Sequence, residues 1–138
     1  MKNSRIKEDP LRLYDKDVAV LEEEIEERQT LEEEERQTTV HCKIKLERGS
    51  GVRIWKSTFL IEKETGQRRK LMHNINVPLA PDWLVIEKDG WYNFTLLFEG
   101  LDKNCSLFDL QEIIPEPGGF EVINIKRNNT DVYSVIVK

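Results

Sequence analysis

The chain is poor in the residues that build reactive centres. It has two histidines and two cysteines among 138 residues, seven glycines, five prolines and 8% aromatic side chains. His41, His73, Cys42 and Cys105 show neither C-x-x-C nor H-x-x-H spacing, so they supply no clustered metal ligands. The glycines of "RGSG" (48–51) and "PEPGG" (115–119) lack the lysine or following helix of a phosphate-binding loop. No apolar run approaches the roughly 18 residues of a membrane-spanning helix. The opening "MKNSRIKEDPLRLYDKD" lacks the apolar middle and small-residue cleavage site of a secretory leader. These absences lead to the expectation of a cytoplasmic protein with both cysteines reduced. Only on an exported chain would a Cys42–Cys105 disulfide form, or the triplets at Asn93, Asn104 and Asn128 accept a glycan.

What the chain does have is charge, unevenly placed. The formal net charge is −5. Residues 1–37 hold 13 acidic and 7 basic side chains; residues 38–138 hold 13 and 14. The acidity therefore belongs to the N-terminal segment. A near-neutral remainder argues against general nucleic-acid binding, which requires a strongly basic face.

Asp15–Gln37 is free of Gly and Pro and rich in Glu, Leu, Arg and Gln, a composition that predicts a helix. Val18, Leu21 and Ile25 repeat at three and four, a short apolar stripe on that helix. Beyond Ile25 the stripe fails at Arg28, Gln29 and Glu32, so the second half reads as a solvated face or linker. The stripe marks a surface for a protein partner or for self-association. Two parts are predicted: an acidic helical segment, 1–37, and a folded domain, 38–138.

From Thr38 the period changes to two. Val40, Cys42, Ile44 and Leu46 alternate with polar residues, the mark of a half-buried strand. Val52–Glu62 is a second run, with a bulge or burial on both sides where Ile54 and Trp55 break the alternation. "KETGQ" predicts a hairpin turn into a third strand, "RRKLMHNINV". The prolines of "PLAPDW" exclude a central strand there, and Leu84–Glu87 reads as a short one. Tyr92, Phe94, Leu96 and Phe98 alternate, as do residues of "SLFDLQEI", "FEVINIKR" and "VYSVIVK". Seven or eight short strands joined by Gly, Pro, Asn and Asp turns predict a mainly β fold, an antiparallel β-sandwich, immunoglobulin-like or similar, carrying the N-terminal acidic α-helix.

The residues "FTLLFEGLDKNCSLFDLQE", followed by "PGGFEVINIKRNNTDVY", resemble a family of small uncharacterised bacterial all-β proteins. The shared pattern is F-T-L-x-F-E, a Leu-x-Lys-x-Cys linker, F-D-L-x-E and a closing hairpin, over roughly residues 52–133. The resemblance implies an immunoglobulin-like or similar sandwich and a binding or structural role; it brings no catalytic residues and does not include the acidic helix.

Residue by residue, chemistry finds little support. His41 and Cys42 are strand neighbours and point to opposite faces, so they make no nucleophilic pair. Cys42 falls on the apolar face and reads as core; Cys105 falls in a loop, where a thiol is open to solvent. Asp102, Asn104 and Asp109 lack the remaining oxygen ligands of a calcium loop. Glu99 ends one strand and Glu112 lies in the next, so the two are candidates to face one another. Arg68 and Arg69, in "GQRRK", form the one basic cluster. Trp55, Trp83 and Trp91 are the aromatic candidates for a ligand face. The expectation is a protein-interaction or scaffold module without catalytic activity, cofactor, metal, nucleic acid or membrane; the second reading is a carbohydrate- or peptide-binding domain using the tryptophans.

Overall fold

The computed structural model describes residues 36–138. The expected acidic helix, with Val18, Leu21 and Ile25, lies outside the described residues but for its last two positions. Of these, Gln37 opens a strand rather than closing a helix. The inward alternation starts two residues ahead of Val40: Thr38, Val40 and Cys42 are all buried.

Among the described residues nine strands follow one another: β1 Gln37–Leu46, β2 Gly51–Val52, β3 Thr58–Glu62, β4 Arg68–Ile75, β5 Leu84–Val85, β6 Gly90–Glu99, β7 Leu107–Glu112, β8 Glu121–Lys126 and β9 Val132–Val137. Seven of them form one sheet in the order β8-β7-β3-β4-β6-β1-β9, and β2 pairs with β5 in a small separate sheet. This corrects the expected sandwich. Two large sheets do not face each other; a single mostly antiparallel sheet curls until it nearly closes into a barrel. The physical reason is where the last strand lands. β9 lies parallel to β1, with Val40 opposite Tyr133 and Cys42 opposite Val135. First and last strands need no helical crossover to run parallel, because the whole domain connects them.

Across the interior, the Phe108 ring of β7 meets the Tyr133 ring of β9 edge-on, with centroids 4.9 Å apart. These strands stand near opposite ends of the sheet, so the contact holds the curl. Around it pack Val40, Leu60, Leu96, Phe98 and Leu110, each fully buried. Burying a side chain of this size is worth about 1.5–3 kcal/mol. Exposure along β6 alternates, with Phe94, Leu96 and Phe98 inward and the residues between them turned out.

The run Val52–Glu62 is not one strand. Ile54 makes an isolated bridge to Leu79, and the chain then turns, with the Thr58 hydroxyl donating to the Trp55 carbonyl at 2.7 Å. The β3–β4 hairpin is as expected, with Gly66 at φ +75°, a conformation L side chains resist. Two bulges bend the sheet: Met72 is the extra residue of β4 against β6, and β8 carries one against β7. At the second, Asn124 takes φ +57° and its N–H donates to the Asp109 carboxylate at 2.8 Å. The bulge turns Asn124 outward and lets Ile125 join Val122 against the core.

Candidate functional site

Period-two strands that bury one face must present the other. The register fixes which outward side chains become neighbours on β4, β6, β1 and β9. His41 stands opposite Thr95 on one side and Ser134 on the other. Lys43 stands opposite Asn93 and Ile136, and Lys45 opposite Trp91. On β4, Ile75 is opposite Thr95 and His73 opposite Leu97. An open groove of about 570 Å³ lies here, lined by residues 41–43, 93–95 and 134–136. That volume falls in the range of small-ligand and side-chain pockets.

The groove has a distinct chemical character. His41 Nδ1 and the Thr95 hydroxyl are hydrogen-bonded at 2.8 Å. The Lys43 ammonium stands over the Trp91 ring, 4.9 Å from its centroid. Among the described residues no carboxylate lies in ion-pair contact with Lys43, and none lines the groove. Apolar side chains are also exposed on this face: Ile75, Trp91, Val132 and Ile136 are each 44–52% accessible.

The sequence-predicted site residues do not gather there as a set. Val18, Leu21 and Ile25 lie outside the described residues. Trp55 and Trp83 share Arg53, whose guanidinium carbon is 5.6 Å from the first ring and 3.8 Å from the second. Trp83 also lies on Gly51, where an added Cβ would collide with its ring. Only Trp91 belongs to the outer face of β6. Arg68 stands over Phe59, and Arg69 Nε donates to Glu62 at 2.8 Å, so the basic cluster is partly spent on its own hairpin.

The remaining candidates are engaged structurally. Glu99 accepts the Lys70 N–H, whereas Glu112 accepts those of Trp55 and Phe120, so the two carboxylates do not face one another. Asp102 accepts the Asn104 N–H, and Asp109 pairs with Lys63 at 3.1 Å. Both cysteines are buried and unbridged, Cys105 included, contrary to its expected loop exposure. Burial pushes the Cys42 thiol up to about 12. Burial, then the charges of Glu62 and Glu64, pushes Cys105 up to about 11. Neither is a thiolate nucleophile near neutral pH.

Sequence reasoning missed the groove. The outward residues of each strand were legible, but not that β9 lies beside β1, which alone brings Ser134 and Ile136 to His41 and Lys43. Comparison with known proteins finds no matching family model, curated protein or solved structure.

Proposed function

We propose that the domain is a protein-interaction module without catalytic activity and that its contact surface is the outer face of β4, β6, β1 and β9. The observation that carries this reading is that Ile75, Trp91, Val132 and Ile136 are exposed on one face, around a groove that Lys43 lines. Exposed apolar side chains set around hydrogen-bonding groups are a mix that contact surfaces carry. The carbohydrate reading draws less support, because Trp55 and Trp83 are gathered around Arg53 while Trp91 is engaged with Lys43.

A photo-crosslinking side chain placed at Ile136 in the native cell tests the reading. It is expected to capture a discrete protein, whereas the same group at Glu116, in the exposed β7–β8 turn, captures none. Equal labelling from both positions, or none from Ile136, refutes it.

A further inference from the structure

Resting on that reading of the face, we infer that the groove between β6, β1 and β9 receives an acidic side chain, its carboxylate bound by Lys43 and its apolar neighbours packed on Ile136. The partner is thus an extended protein segment in which a glutamate or aspartate has aliphatic residues two positions to either side, on the same face.

The polar side chains lining the groove are His41, Lys43, Asn93, Thr95 and Ser134. Each can donate a hydrogen bond, and no carboxylate stands among them to receive a cation. The His41–Thr95 bond leaves one donor free in either tautomer. If Nδ1 accepts the hydroxyl proton, Nε2 carries the ring hydrogen; if Nδ1 donates, the Thr95 hydroxyl proton is free for a ligand. Lys43 brings positive charge without an ion-pair partner among the described residues. Its contact with Trp91 steadies the ammonium at the groove rather than neutralising it. The donors stand on paired strands and not on loops, so their spacing is set before a ligand arrives.

An anion is therefore the complementary charge. The 52% exposed Ile136, opposite Lys43 across β1 and β9, adds a requirement for apolar atoms beside it. A mineral anion would leave that side chain in water. A carboxylate with aliphatic side chains two positions to either side satisfies both, because an extended segment presents residues i−2, i and i+2 on one face.

The test titrates the full chain with a capped peptide carrying valine two positions before and two positions after a central glutamate, with its glutamine counterpart, and with free benzoate, following backbone amide shifts by NMR. The glutamate peptide is expected to shift residues 41–43, 93–95 and 134–136. It should bind about tenfold more tightly than the glutamine peptide, and Lys43→Gln should remove about the same factor. Lys43 is exposed, so this variant keeps the wild-type spectrum elsewhere; Lys88→Gln, a control in the β5–β6 turn, leaves binding unchanged. Equal response to both peptides, an unaltered Lys43→Gln, or shifts from benzoate alone overturns the inference. A crosslink that persists at Ile136 alongside a silent titration overturns this inference while leaving the contact surface standing.

Discussion

Arg127 grips Asp131 with two prongs, Nε to Oδ1 at 2.6 Å and Nη2 to Oδ2 at 3.1 Å. The third nitrogen, Nη1, donates to the carbonyls of Asp102 and Cys105 at 2.6 and 3.0 Å. One side chain thus ties the β8–β9 turn to the β6–β7 loop. The Asp131 carboxylate also receives the Tyr133 hydroxyl at 3.0 Å, which connects the cluster to the ring that meets Phe108. The cluster sits where the curled sheet would otherwise open.

Arg127→Lys is expected to destabilise the full chain by about 2–3 kcal/mol in urea unfolding. Both side chains of the pair are only 13% exposed, so solvent screens them little. Lysine keeps the charge but loses the planar fork and the reach to the two carbonyls. A double-mutant cycle with Asp131→Asn should show coupling above about 1 kcal/mol. Loss below about 0.5 kcal/mol would mean that closure does not depend on this clamp.

Glu62 shows the same economy in another place. It is 1% exposed, and its carboxylate accepts from Arg69 Nε and from the Asp102 N–H, both at 2.8 Å. Glu62→Ala should cost about 3 kcal/mol, because a half-buried guanidinium and a backbone N–H lose their acceptor together. Glu62→Gln keeps an acceptor and should recover about half of that loss. If alanine and glutamine are equally tolerated in denaturant titration, the carboxylate is a bystander.

The two cysteines give a kinetic prediction. With their thiols held near 12 and 11 by burial, neither Cys42 nor Cys105 should react measurably with a disulfide reagent at pH 8 in the native chain. Both should react at once in denaturant. Rapid native labelling of Cys105 would show that the β6–β7 loop opens far more often than its packing and the Arg127 contacts allow.

Most strands were legible because a half-buried strand writes its period into the sequence: Phe94, Leu96 and Phe98 could not be read otherwise. What escaped was long-range. Nothing local says that β9 returns to β1, so one curled sheet was read as two facing ones. Glu62, at the end of an apolar run, carries no sign that Arg69 and the Asp102 amide will surround it; its burial is a property of the hairpin and a loop forty residues on. Strict alternation would carry Asn124 inward with Val122, but a bulge that the Asp109 carboxylate stabilises turns it out. The groove escaped for the same reason as the closure, since its walls come from three strands that are not consecutive.

Two carboxylates should titrate in opposite directions. Hydrogen bonds from the Ser106 hydroxyl and N–H hold Glu64 below the ordinary glutamate value. Burial raises Glu112 above it, against the opposing pull of the Trp55 and Phe120 N–H groups. The signs then follow from linkage. Glu64, being depressed, contributes stability that is present above the ordinary glutamate value and lost as pH falls through its own. Glu112, being raised, contributes stability that is full below the ordinary value and lost as pH rises through its own. Side-chain carboxyl shifts followed by NMR should therefore place the Glu112 midpoint above that of Glu64. Ser106→Ala should bring Glu64 back toward the ordinary value and weaken the loss of stability on acidification. Glu112→Gln should flatten the decline on the other side. Coincident midpoints, or a Glu64 midpoint unmoved by Ser106→Ala, would show that the Ser106 contact does not persist in solution and that the β3–β4 turn is free of the loop before β7.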